Sequence, residues 1–312
     1  VFIYDADQVA AHLPAYGRYL AQQVERLGRD HPLIRSQYYL EAVDARNRLF
    51  PPARRALMHG DHPRLQGPRP FLSEAGAASR HYALLVDVAG EDEATASGGA
   101  RQLSLFGNPR DATALTVVEV EPRPGGLPRY RTVDRRRWLG VRHATLHEEI
   151  CALARHWRAR WVVVDATGIG AGLASFLESE LGGQGSACQV LPVIFSAKLK
   201  SDLGWGFVGI VETGRYQDYN LSEGGAEDPD TRQFWYEVER CQCEVLPGPG
   251  NRIRWGVWET PAYDGLIARG HDDLLVSAAL CAMLDKQAWP GTGQAAIAAR
   301  TDPLDEIDGA AW

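Results

Sequence analysis

Three apolar stretches of this chain meet aspartate at one end: Asp87 closes HYALLVD, Asp165 closes RWVVVD, and the doublet Asp272/Asp273 opens HDDLLVSAALCAML. Singly, each is ordinary. A lone aspartate at a strand end is most often a turn former, and one at a helix start is a natural N-cap. Together they mean more, because ligands of open α/β sheets gather beyond the carboxyl ends of the strands, where adjacent central strands would set Asp87 beside Asp165. Carboxylates crowded without basic partners repel and raise one another's pKa, a cost that a bound cation removes. Hard oxygen donors select Mg²⁺ or Mn²⁺. Two such ions about 3.5–4 Å apart can activate water on one side of a phosphodiester and stabilise the leaving 3′ oxygen on the other. Successive helical residues are about 100° apart, so Asp272 and Asp273 cannot point identically at such a cluster. One is expected to bind metal, the other to cap the helix or bind the second ion.

Other motifs are weaker. GIGAG after Asp165 is only loosely compatible with a phosphate loop, having neither a complete G-x-G-x-x-G nor a downstream ribose acid. A Walker A loop is absent, since the only lysines are Lys198, Lys200 and Lys286, so the chain is not expected to hydrolyse ATP alone. The five cysteines are odd in number and scattered in apolar context, which predicts free thiols and no disulfide frame. Cys241 and Cys243 lack a second pair, and packing is the favoured reading. His143 and His147 share a helical face, but their neighbourhood supplies no further zinc ligands, so a solvated helix start is expected.

The elements that must position the acids follow from periodicity. Residues 1–75 read as a helical, irregular, Pro-rich appendage. From His81 the pattern becomes β: HYALLVDVAG, then TALTVVEVEP after a Gly/Ser-rich insertion from Glu91 to Arg110, then a strand near Tyr130 to Val133, a meander of three. A helix over about 144–157, the strand ending at Asp165, a glycine turn into a helix, the strand QVLPVIF and helices near 198–212 and 231–240 come next. EVLPGPGNRIRWGVWE reads as a hairpin, and a helix from the aspartate doublet to Lys286 closes the domain. This order predicts an α/β fold, a ribonuclease H-like mixed β-sheet with flanking helices over residues 76–286, plus the N-terminal helical appendage. Residues 287–312, rich in Ala, Gly, Pro and Asp, are expected to be a disordered tail.

With 45% hydrophobic and 23% charged residues, the chain has the composition of a packed globular protein. No apolar run approaches the roughly 18 residues of a membrane span, and no signal peptide follows Val1, whose position without an initiator Met suggests a fragment. The net charge of −7 argues against nucleic-acid binding only if it is uniform. It is not. From Arg123 to Arg160 ten arginines stand against three acids, a local charge of +7. Such runs are usually solvated faces, and a phosphate-tracking surface is the minority reading on this feature alone.

LLVDVAG, RDATALTVVEV, WVVVDATGIGAGLASFL, FSAKLKSDLGWGFVGIVETGRY and HDDLLVSAALCAML, in that order, resemble the nuclease domain of the large terminase subunits of tailed phages over roughly residues 80–286. Upstream, HPLIRSQYYLEAV with RLFP resembles the segment that follows the ATPase core of those motors. The resemblance implies an endonuclease that uses two Mg²⁺ or Mn²⁺ ions to cut concatemeric double-stranded DNA during genome packaging. Asp87, Asp165 and Asp272 or Asp273 match the family's metal-binding acids, and Asp111 matches an auxiliary acid opening the second strand. Lys198 or Lys200 matches a helix-opening basic position that could meet the scissile phosphate, a solvated helix start being the alternative. Whether Glu91 or Asp92 also reaches the metals stays open. Arg131, Arg135, Arg136 and Arg137, with Arg252 and Arg254 of the hairpin, are the candidate duplex contacts. Implied partners are double-stranded DNA, the portal protein and the small terminase subunit, with no membrane, in the host bacterial cytoplasm and transiently on the procapsid. The alternatives are another ribonuclease H-like nuclease, such as a junction resolvase or transposase core, and a non-catalytic portal-docking domain.

Overall fold

The computed structural model describes residues 4–29, 31, 33–40, 46–69, 80–89, 112–123, 125–183, 186–220, 228–246, 251–258, 260–261, 267–268 and 271–289. Asp111, Glu91 and Asp92, the insertion to Arg110 and residues 290–312 lie outside these.

The centre is a six-stranded mixed sheet in the order β6-β5-β2-β3-β4-β7. β2 (His81–Asp87), β3 (Ala112–Arg123) and β4 (Gly126–Leu139) form the antiparallel meander. β5 (Trp161–Asp165) runs parallel to β2, and β6 (Gln189–Val193) parallel to β5. β7 (Tyr216–Gln217) adds a short parallel edge to β4. Three antiparallel strands followed by two parallel ones on the far side of the first is the ribonuclease H-like arrangement.

β2 over Ala83–Val86 and β5 over Trp161–Val164 are apolar at consecutive positions because both faces of the sheet are covered. Ala83, Leu85, Trp161 and Val163 point into one core, while Leu84, Val86, Val162 and Val164 point into the other. The first core is closed by α6 (Ala197–Glu212), α7 (Pro229–Arg240) and the terminal helix α8 (Asp273–Ala279), which tightens into 3₁₀ geometry over Leu280–Lys286. α4 (His143–His156) and α5 (Gly170–Leu181) close the second. No helix among the described residues is long and apolar enough to cross a membrane.

The N-terminal segment packs on this domain. α1 (Ala6–His12) and α2 (Pro14–Leu27) are separate helices, divided where Pro14 starts the second, and α2 rests on α6. α3 (Pro52–Met58) packs there too. Buried His31 bonds the Trp205 carbonyl through Nε2 at 2.9 Å and accepts from the Leu33 N–H at Nδ1. Burial lowers its pKa to about 3, so the ring stays neutral and Nε2 carries the proton. β1 (Arg46–Arg48) pairs with β8 (Gln242–Val245) of the hairpin β8-β9 (Ile253–Gly256), a three-stranded sheet in which periodicity gave no sign of the first strand. β10 (Thr260–Pro261) and β11 (Ile267–Ala268) form a two-stranded ladder. Trp289, within the expected tail, is buried in the first core. All five cysteines are free.

Candidate metal centre

Pairing of Val86 with Val164 in the parallel β2-β5 ladder puts Asp87 and Asp165 side by side at the carboxyl ends of adjacent strands. Asp165 is locked by a tight turn in which its Oδ1 accepts the Thr167 N–H at 2.8 Å. The glycine motif serves that turn. A Cβ on Gly170 would lie 2.4 Å from the Asp165 carbonyl oxygen, so α5 can start this close to the strand only without a side chain there.

The third element comes from far along the chain. Buried Ser277 of α8 donates to the Leu85 carbonyl at 2.8 Å and contacts the Thr116 hydroxyl at 2.9 Å, pinning the helix across β2 and β3. Its N-terminus therefore opens toward the end of β2. Asp272 occupies the N-cap position but makes no side-chain capping bond; its carboxylate instead accepts the Val257 N–H. Asp273 accepts the Ala112 N–H at 3.2 Å, and His271 Nδ1 lies 3.8 Å from the same carboxylate. Of the two roles expected for the doublet, helix capping is not made by the Asp272 side chain, which turns to the hairpin.

The four carboxylates interact. Burial, then the charges of Asp273, Asp165 and Asp272, push the Asp87 pKa well above the ordinary carboxylate range, with Lys200 opposing. Burial likewise raises Asp165 and Asp272, and Lys200 again opposes. Lys200 is therefore the lysine that faces the acids, its ammonium 5.8 Å from the centroid of the Trp255 ring. Lys198 is exposed and pairs with Asp202 one turn on at 2.9 Å, the solvated alternative.

Glu237 was missed by sequence reading. It sits on the buried side of α7, where Oε2 accepts the Leu275 N–H at 2.9 Å and Oε1 accepts from Gln233 at 3.0 Å. Burial pushes its pKa up to about 8, against those hydrogen bonds and with the charges of Asp273 and Asp272 adding. Its signal was an acid on the apolar stripe of an amphipathic helix, just after the aromatics of FWYEVER. His271 was overlooked as a neighbour of the doublet for want of any pattern.

Within the arginine stripe, Arg131, Arg135, Arg136, Arg137 and Arg155 make ion pairs. Arg135 is fully buried, donates to Asp218 at 2.6 Å and lies 3.8 Å from the Phe234 ring centroid. Burial works against its charge, but Asp218 raises its pKa and keeps it ionised. It is a core ion pair and does not reach a duplex, which corrects that expectation. Arg131 lies 3.8 Å from Glu119, Arg136 lies 3.4 Å from Asp134 and Arg137 lies 3.4 Å from Asp230. Arg252 and Arg254 are exposed on the hairpin, which α6 holds through Ser201 Oγ to the Ile253 N–H and the Lys200 carbonyl to Trp255 Nε1.

No family model matches the sequence, and no curated protein resembles it detectably in sequence. Solved structures do resemble the fold. The large terminase nuclease from thermophilic phage G20c is 17% identical with a TM-score of 0.46, over 75% of this chain and 96% of that one. The Thermus phage P74-26 large terminase nuclease domain is 18% identical with a TM-score of 0.44, over 80% and 100%. The HK97 bacteriophage large terminase is 10% identical with a TM-score of 0.44, over 86% of this chain and 50% of that one. These neighbours are large terminases. At such identities the likeness speaks to architecture alone, which the strand order carries by itself, and it assigns no role to any residue.

Proposed function

We propose that this chain is a metal-dependent endonuclease, the DNA-cutting part of a phage-type packaging motor. The observation that carries the chemistry is the convergence of Asp87 and Asp165, at the ends of adjacent strands, with Asp272 and Asp273, at the start of a helix pinned across β2 and β3. Burial first, and then the charges of Asp273, Asp165 and Asp272, raise the Asp87 pKa against one opposing lysine, and hard cations relieve such crowding. The donor set fits Mg²⁺ or Mn²⁺. Among the described residues, no three of these carboxylates have oxygens all within 4.8 Å of one another.

Bound there, the ions would supply an activated water and a stabilised leaving oxygen at a phosphodiester. Asp87 and Asp165 hold from the strand ends, and Asp272 and Asp273 from the helix start. The Thr167 N–H fixes the Asp165 carboxylate, and the Val257 N–H that of Asp272. Lys200 carries a positive charge to the scissile phosphate. Glu237 holds the first turn of α8 in place through Leu275.

The hairpin that supports Asp272 also presents Arg252 and Arg254 outward, and these are our leading duplex contacts. Arg137 is cross-strand to Ala114, which is cross-strand to Asp87, so this arginine lies two strand spacings, roughly 10 Å, from the centre. Arg136 and Arg131 are cross-strand to Leu115 and Glu119 and point to the other face of the sheet, toward α4, so they are not proposed as contacts beside the aspartates. Contacts of this kind read phosphate, and sequence preference is expected to be slight. Cutting of concatemeric double-stranded DNA, association with portal and small subunit, and location at the procapsid in the host cytoplasm rest on the order of motifs along the sequence.

The test is nicking of supercoiled plasmid in Mn²⁺. Wild type should nick and Asp165→Asn, with an unchanged circular-dichroism spectrum, should not. Equal cutting by both would reject the assignment.

A further inference from the structure

On the opposite face of the sheet from the aspartates, α4 and α5 bring together a second set of metal-binding side chains. His147 and Cys151 are one turn apart on α4, and Glu180 reaches across from α5. One ligand atom from each lies within 4.8 Å of the other two. His147 Nε2 is 3.5 Å from Cys151 Sγ and 3.7 Å from Glu180 Oε2. Among the described residues no other trio of histidine, cysteine and acidic side chains is so closely grouped.

The spacing is informative. Zinc binds nitrogen, oxygen and sulfur at about 2.0–2.3 Å in tetrahedral geometry, so its ligand atoms stand roughly 3.3–3.8 Å apart. Both measured separations fall in that interval. The set also mixes an imidazole, a thiol and a carboxylate, which favours a borderline-soft ion over Mg²⁺. The other oxygen of Glu180 is held by Arg155, which orients the carboxylate from outside, as partners of metal ligands commonly do. Cys151 is buried while His147 is partly exposed and Glu180 exposed, so an ion can enter from solvent.

We propose that His147, Cys151 and Glu180 form a Zn²⁺ site with three protein ligands, separate from the aspartate centre. Binding transfers the Cys151 proton to solvent and leaves a Zn–thiolate bond. The ion bridges α4 to α5 and so stiffens the helical layer that backs β5, the strand carrying Asp165. The sequence offered His143 and His147 with no further ligand nearby; in the fold, the thiol one turn on and a carboxylate from another helix join His147 instead.

The full chain, purified metal-free and kept reduced because Cys188 packs in the same core as Cys151, is titrated with Co²⁺ and then Zn²⁺. An aspartate-only centre gives cobalt no sulfur ligand, so a near-ultraviolet thiolate-to-cobalt absorption reports this site alone. We expect the band to saturate at one equivalent, to be displaced by Zn²⁺ and to persist in Asp165→Asn. Cys151→Ser should abolish it. His147→Ala, at a partly exposed position that spares the core, should weaken Zn²⁺ affinity at least about tenfold. Absence of the band in wild type, its loss in Asp165→Asn, or unchanged affinity in His147→Ala overturns the proposal.

Discussion

A Cβ placed on Gly256 would fall 2.4 Å from Oδ2 of Asp272, inside any permissible contact. The hairpin end and the helix start therefore meet where only glycine fits, at a φ of +146° that side-chain-bearing residues rarely adopt. Gly256→Ala is expected to displace Asp272 and lower Mn²⁺ affinity at least about tenfold, since loss even of a ligand's support commonly costs that much. Isothermal titration with Mn²⁺ reads this directly. Affinity equal to wild type would mean that Asp272 is not a ligand.

Lys200 and Lys198 separate the two lysine readings. Lys200→Met should lower the nicking rate on the order of 10²-fold, as loss of one charge-stabilising donor at a reacting phosphate does. Lys198→Met removes only an exposed pair with Asp202 and should leave the rate near wild type. Equal losses in single-turnover nicking would contradict the assignment.

Arg135 and Arg254 separate core from surface. Arg135→Ala leaves the Asp218 charge buried and alone, which should cost about 3–5 kcal/mol of stability in urea unfolding. Arg254→Ala should keep stability, weaken binding to all duplexes alike and reduce the salt slope by about one. Filter binding across a salt series decides whether the hairpin touches phosphate.

Much of this architecture was legible in the sequence because β2 and β5 are short apolar runs that each end in an acid, and the helices carry plain apolar stripes. The glycine turn after Asp165 was visible too, though its use, clearance for the Asp165 carbonyl, is a tertiary fact. What stayed hidden depends on distant partners. Nothing around Arg135 tells it from Arg136 or Arg137 until Asp218 and Phe234 arrive from elsewhere in the chain. β1 is three residues long and exists only as a partner of β8. Glu237 sits on the apolar stripe of its helix, but the surface that buries it, α8, arrives only after the hairpin.

Glu237 should give the metal-free protein a distinctive pH profile. Its pKa in the fold is about 8 against an ordinary 4.5, so the folded state holds the proton more tightly than the unfolded chain. Its contribution to stability is full below the ordinary value and is lost as pH rises through 8. In EDTA, Glu237→Gln should lose less melting temperature than wild type between pH 5 and pH 8.5, a window spanning roughly those two values. Parallel curves would show that Glu237 titrates normally.

The centre itself is tested most directly by soaking Mn²⁺ into crystals and collecting anomalous diffraction. Two peaks among Asp87, Asp165 and the 272–273 doublet are expected, with both lost in Asp165→Asn crystals. Manganese bound elsewhere, with no anomalous density between these carboxylates at saturating metal, would contradict the nuclease assignment.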